Sequence, residues 1–168
     1  MAEKYGFFNS SGGDRVYDAA DFAAYFGSLV SNGVFYMATT NLQVSPAIGL
    51  AVNVAAGSAW INGYRYENTD VLNMPLTTAN GSNPRIDRIV IRLSQISRSI
   101  QLAVVAGTPA ATPVAPALTR TSDVYELGIA DVLVPTAATS IVANNITDTR
   151  LNTGLCGLVN SLVSAVYE

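Results

Sequence analysis

Histidine is absent from this chain, and cysteine and lysine occur once each, at Cys156 and Lys4. Without histidine, neither a Ser-His-Asp nor a Cys-His arrangement can be built, and the commonest transition-metal ligand is gone. One cysteine excludes an internal disulfide framework and any multi-cysteine metal site, and it suits folding in a reducing compartment. Charged residues make up only 12 % of the chain and the formal net charge is −3. No cluster of Lys and Arg offers a phosphate-tracking face, so nucleic acid is not an expected partner. No run approaches 18 consecutive apolar residues, which argues against a membrane-spanning helix. The start, MAEKYGFFNSSGGD, lacks the apolar core of a signal peptide. Phosphate loops, dinucleotide fingerprints, zinc spacings and calcium loops are also missing, and no cofactor is expected.

What remains is an apolar, nearly uncharged chain, with 49 % hydrophobic residues. At 168 residues it can bury one core, so a folded domain is expected rather than disorder. Asp18, with Asp21 three residues on, opens a helix over about 18–31. Phe22, Phe26, Leu29 and Val30 share one face of it, and Ala20, Ala24, Gly27 and Ser28 leave the opposite face small. Asn32-Gly33 offers a stop. From Gln43 the period changes to two. A strand runs to Ala55, a turn lies at Ala56-Gly57, and Trp60-Ile61 leads into Asn62-Gly63, the pair a type I′ hairpin turn favours. Tyr64 and Tyr66 lie on the return strand, which extends toward Val71 and Met74.

The spacing further predicts a surface loop over 77–84 and an antiparallel pair from Arg85–Leu93 and Ser99–Val105. An extended connector carrying Pro109, Pro113 and Pro116 comes next, because proline cannot donate to a ladder. A central strand is expected over 123–135 and a short strand and turn over 139–146. Leu155, Leu158, Leu162 and Val166 recur at helical spacing, which predicts a C-terminal amphipathic helix over 151–168. The fold class expected is α+β, mainly β: an antiparallel sandwich-like body over 1–150 with an N-terminal helix, followed by the C-terminal helix as a possible start of a bundle or fibre.

The candidates for chemistry are few. Asp87 and Asp131 are the one carboxylate pair that strands could bring face to face, as a glycosidase needs. Asp87 lies among Arg85, Arg88 and Arg92, however, which favours structural ion pairs. Asp87 and Arg88 are therefore expected in ion pairs, as are Asp148 and Arg150 beyond the last strand. Trp60, Tyr64 and Tyr66 flank the Asn62-Gly63 turn and would be the glycan contact if the protein bound carbohydrate. The competing reading puts Trp60 in the core. Cys156 is expected to be a small apolar residue.

Five motifs occur in order: Gly57–Tyr66 as G-x-x-x-I-N-G-x-x-Y, Arg85–Leu93 as R-I-D-x-I-V-x-R-L, Gly107–Arg120 as G-T-P-A-x-x-P-x-x-P-x-L-T-R, Tyr125–Val132 as Y-E-L-x-I-A-x-V, and Ile146–Arg150 as I-T-D-T-R. This series, with the opening YGFFNSSGGDRVYDAADFAAYF, resembles the N-terminal attachment module of baseplate upper proteins and tail fibres of bacteriophages and prophages, especially those of Gram-positive hosts. The resemblance implies a non-enzymatic structural component of a virion tail, assembled in the bacterial cytoplasm. Such a module is a homotrimer that docks on other tail and baseplate proteins and anchors a fibre or a receptor-binding protein. The chain would be either part of a longer fibre or a short adaptor. Phe22, Phe26, Pro109, Pro113, Pro116, Leu155, Leu158, Leu162 and Val166 are the expected interface residues. A carbohydrate-binding module for host cell-wall glycans is the alternative.

Overall fold

The computed structural model describes residues 6–36 and 38–163. Among them there is one α-helix, α1 (Ala19–Leu29), and ten strands: β1 (Gly33–Val34), β2 (Val44–Pro46), β3 (Ala51–Val54), β4 (Gly57–Ile61), β5 (Tyr64–Asn68), β6 (Leu72–Pro75), β7 (Arg85–Ser94), β8 (Ser99–Val105), β9 (Val124–Val134) and β10 (Ile146–Asp148). They form three antiparallel sheets, ordered β1-β4-β5, β2-β3-β6 and β10-β9-β7-β8. The architecture is mainly β with a helix on one side, as the sequence pattern predicts. A single apolar cluster joins the sheets, built from Val52, Val54, Ile61, Ile89, Ile91, Leu127, Ile129 and Val132 among others.

The β7–β9 ladder is its centre. Ile89, Ile91 and Leu93 share the core-facing side of β7, opposite Ala130, Leu127 and Tyr125. A register shift between Ile89 and Val90 leaves Ile129 as an extra residue in β9. The bulge frees backbone groups that the C-terminal segment takes up: the Thr149 N–H donates to the Ile129 carbonyl at 3.1 Å, and the Gly128 N–H to the Leu155 carbonyl at 3.0 Å.

The ladder's other face carries Arg88 opposite Asp131 and Arg92 opposite Glu126, with Val90 between the two arginines. Charges on a buried face are costly unless paired and hydrogen-bonded. Here Arg88 Nε and Asp131 Oδ1 are 2.7 Å apart, as are Arg92 Nε and Glu126 Oε1. The remaining valences hold the proline connector against this face. Arg88 Nη1 donates to the Pro116 carbonyl at 2.6 Å, and the Thr119 N–H donates to Glu126 Oε2 at 2.7 Å. At the ladder's end, Asp87 pairs with Arg85 at 2.9 Å and accepts the Gly107 N–H at 2.8 Å, while Arg85 holds the Thr77 and Thr78 carbonyls.

Asp87 and Arg88 are ion-paired, as expected, with Arg85 and Asp131 as their partners. Asp87 and Asp131 project to opposite faces of the ladder, each committed to an arginine, so this pair cannot flank a scissile bond. The connector carrying Pro109, Pro113 and Pro116, expected as an interface arm, lies strapped to its own sheet with all three prolines half-buried.

The predicted C-terminal helix is likewise not formed over 151–163. Tight turns at Asn152–Cys156 and Gly157 at φ +85° redirect the chain into an extended path. There it pairs with the N-terminal region, with the Ser31 N–H donating to the Asn160 carbonyl and the Val34 N–H to the Gly157 carbonyl, both at 2.9 Å. Backbone pairing to β1 outcompetes the helix because this segment is rich in Gly, Asn and Ser, which favour turns. Leu155 and Leu158 are half-buried against the body and Leu162 is 42 % exposed. Val166 lies outside the described residues.

Asp148 and Arg150 pair with each other, and Arg150 reaches on to the Thr39 and Asn41 carbonyls at 3.0 and 2.6 Å, fixing the turn that precedes β2. The hydrogen bond from Arg150 holds the Asp148 carboxyl below the usual aspartate range. That contribution to stability is present above the ordinary value and is lost as the pH falls through the lower folded one.

Replacing Arg88 with alanine strands Asp131 and releases the Pro116 carbonyl. The expected outcome is a loss of about 3 kcal/mol in urea unfolding, with new proteolytic cleavage confined to residues 107–120. Wild-type stability and an intact connector would contradict the strapping role.

Candidate functional site

The helix begins as its sequence dictates. The Asp18 carboxylate accepts the Ala20 and Asp21 N–H groups at 2.9 and 3.1 Å, and Asp21 accepts the Asp18 N–H at 3.0 Å. It ends differently from the Asn32-Gly33 stop: Val30 is already extended at φ −136°. Asn32 instead grips the hairpin turn, with its Nδ2 donating to Asn62 Oδ1 at 2.8 Å and its Oδ1 accepting the Asn62 N–H at 2.7 Å.

That turn seats the helix. Asn62 and Gly63 have φ of 48° and 82°, the positive pair of a type I′ turn. Gly63 presses against the Ala23 backbone so closely that a Cβ there would collide with the Ala23 carbonyl, and Gly27 sits over Gly63 at ordinary contact distance. The helix therefore turns Ala23 and Gly27 toward the hairpin, while Ala20, Ala24 and Ser28, expected as one small face, stay exposed. Its large residues point out. Phe22 is 46 %, Tyr25 48 % and Phe26 42 % exposed, the inverse of the usual amphipathic arrangement.

These rings continue into a chain of aromatic contacts. Phe7 packs against Tyr17, Phe22 and Tyr25 with centroids 5.5, 5.5 and 5.0 Å apart. Tyr25 meets Phe26 at 5.7 Å, Phe26 meets Trp60 edge-on at 5.8 Å, and Phe35 closes the series on Trp60 at 6.4 Å. The spacings are those of favourable aromatic pairs. Among the described residues no acceptor reaches the buried Trp60 Nε1. Leu162 and Val163, 42 % and 44 % exposed, extend the apolar surface past the end of the helix, where the Leu162 N–H donates to the Leu29 carbonyl. This ridge gathers Phe22 and Phe26 from the expected interface. It also recruits Phe7, Tyr25 and Trp60, which the sequence reading did not assign to an interface.

The expected glycan platform is not formed as a unit. Tyr64 and Tyr66 stand opposite Ile61 and Ala59 on the inner face of the hairpin, whereas Trp60 stands opposite Arg65 on the outer face. Strand alternation separates them. Trp60 belongs to the ridge, while the tyrosines line a groove of about 730 Å³ between the start of α1, edge strand β5 and the β7–β8 turn. Gln95, Arg98 and Ser99 also line this groove, and among the described residues Arg98 has no ion-pair partner. Burial pushes the Tyr66 phenol up. Cys156 is buried, and desolvation pushes its thiol up to about 12, so it stays protonated and inert as an apolar residue. No group of His, Cys, Asp and Glu among the described residues could hold a metal ion.

No protein-family model, no curated protein and no solved structure matches the chain.

Two glycines separate close packing from mere permissiveness. Gly63→Ala combines a positive φ with a backbone collision, and about 2–4 kcal/mol of destabilisation is expected from urea midpoints. Gly27→Ala meets only ordinary contacts and is expected to stabilise by up to about 1 kcal/mol through helix propensity. Equal stability of the two variants would contradict the seating of α1 on the turn.

Proposed function

We propose that this chain is a non-catalytic structural component of a tailed-phage or phage-like particle, an adaptor that anchors a fibre or receptor-binding protein at the baseplate. The observation that carries the reading is the aromatic ridge, exposed on a body whose loops are clamped. An apolar surface of that kind on a rigid scaffold is the signature of a docking face. The five ordered motifs and the opening segment supply the kind of assembly. Scaffolding is the mechanism: the β7–β9 ladder fixes the body, the hairpin turn fixes the helix, and the helix presents its rings to a neighbouring subunit. The partners are then other tail and baseplate proteins, and the location is the virion tail.

Antibody raised against the purified chain tests this by immunogold electron microscopy of particles induced from the encoding bacterium. Label at the tail tip or fibre root is the expected result. Absence of the chain from purified tailed particles, by label and by mass spectrometry, would overturn it.

The groove favours a second reading, a carbohydrate-binding module. Two tyrosine rings with a free guanidinium and an amide at the rim can stack on and hydrogen-bond a sugar. In that case Tyr66→Ala and Arg98→Ala each abolish binding to host cell-wall polysaccharide while the fold persists. Wild-type protein with no polysaccharide binding in a pull-down removes this reading.

A further inference from the structure

We infer that the groove beside β5 takes an extended, acidic segment of another polypeptide, which adds to the open edge of that strand and sets a carboxylate against Arg98. The groove uses none of the rings of the aromatic ridge, so this is a second contact with its own mode of recognition.

The first argument is the backbone. β5 is an outer strand of the β1-β4-β5 sheet, and four consecutive residues of it, Tyr64 to Glu67, line the groove. A sheet face shows alternate residues, so consecutive ones place the groove along the strand's edge. The register fixes what that edge offers. After a two-residue turn the pairs Ile61–Tyr64 and Ala59–Tyr66 exchange hydrogen bonds, and the alternate pairs Trp60–Arg65 and Ser58–Glu67 do not. Ser58 shows the alternation: its N–H goes to Asn41 and its carbonyl to the Phe35 N–H, both away from β5. The N–H and C=O groups of Arg65 and Glu67 therefore face away from β4, and among the described residues no backbone group pairs with them. Such an edge is a template for an incoming strand.

The second argument is charge. The charged side chains lining the groove are Asp18, Arg65, Glu67 and Arg98. Asp18 is spent on the Ala20 and Asp21 N–H groups, and Arg65 and Glu67 answer each other at 2.8 Å. Arg98 is left over, with no ion-pair partner among the described residues. An incoming Asp or Glu completes it, because a carboxylate matches the guanidinium in charge and in geometry. Tyr64, Tyr66, Leu93 and Ile100 supply apolar walls for the other side chains of the segment.

The third argument is strain. Arg98 stands at φ +51° in the β7–β8 turn, the left-handed region that glycine enters at least cost. An arginine there gives up stability, and outliers of this kind gather at ligand clamps. What the turn gains is placement of a guanidinium on the groove that β5 borders. A sugar would also meet the rings and the guanidinium, but the evenly repeated donors and acceptors of a strand edge match another strand.

Selection from a displayed library of random linear peptides on the full chain tests the inference, with the recovered sequences synthesised and their affinities measured by fluorescence polarisation. The expected peptides alternate β-branched or aromatic residues with Asp or Glu. Arg98→Gly relieves the strained φ, and Glu67→Pro removes an N–H that no ladder uses, so both variants are expected to keep the wild-type circular dichroism. Each is expected to bind at least about 10-fold more weakly, while Val114→Ser, at an exposed position outside the groove, binds as wild type. Changing the peptide's acid to its amide costs the wild type a similar factor and Arg98→Gly nothing. If Glu67→Pro unfolds, N-methylation of alternate peptide residues replaces it as the test of strand pairing, and loss of binding is expected. No enriched peptide, or peptides that bind both variants as tightly as wild type, overturns the inference. Arg98-dependent binding of cell-wall polysaccharide with no peptide recovered also overturns it, and gives the groove to a sugar.

Discussion

The pairing of β7 with β9, and the arginine–carboxylate contacts set on it, is the constraint from which the rest of the structure follows. Buried ion pairs are weak evidence of stability in themselves, since desolvation offsets most of their attraction. What they supply here is position. Asp87, Glu126 and Arg88 each have a sheet partner and a second partner in a loop: the Gly107 N–H, the Thr119 N–H and the Pro116 carbonyl. The connector is thereby held over a face that would otherwise expose Val90. Its prolines bring no N–H to satisfy, which lets it lie on an apolar surface without orphaned donors.

From this body the chain builds outward by close backbone approaches. Gly63 admits α1, Gly33 admits the C-terminal segment, and Gly107 lies against the Ile86 backbone. Small residues take the contacts on each occasion. For α1 the consequence is a helix with Ala23 and Gly27 against the turn and its aromatic rings outward. Burial of apolar area drives both folding and association, and a surface that folding leaves uncovered remains available to association. The ridge is thus the result of seating a helix on a glycine turn.

Much of this was legible in the sequence. The Asp18–Asp21 cap, the Asn62-Gly63 turn, the β7–β8 pair and the two-faced apolar β9 all carry local signals, and each is found where its pattern places it. The ion pairs were half legible. Charge alternation on β7 pointed to them, but which arginine meets which carboxylate depends on the cross-strand register and on a bulge at Ile129, for which Gly128 inside the strand is the one local mark. The helix expected over 151–168 is not formed over 151–163, because helical spacing of leucines is equally compatible with an extended segment paired to a distant β1. Tertiary pairing overrides propensity there. The ridge was legible only in part. Periodicity gave the Phe22 and Phe26 face, and it cannot say whether such a face turns toward the core or away from it. That is decided by Gly63, some forty residues downstream. The same blindness to faces joined Trp60 with Tyr64 and Tyr66, although a strand sends neighbours to opposite sides.

The ridge is proposed to dock on another tail subunit, with Phe26 packed over Trp60 at its centre. Co-sedimentation of the purified chain with tail particles that lack it is the direct measurement. Docking through the ridge predicts that the wild-type chain pellets with the tails and that the Phe22→Ser/Phe26→Ser variant stays in the supernatant. Equal pelleting of both proteins, or of neither, would contradict it.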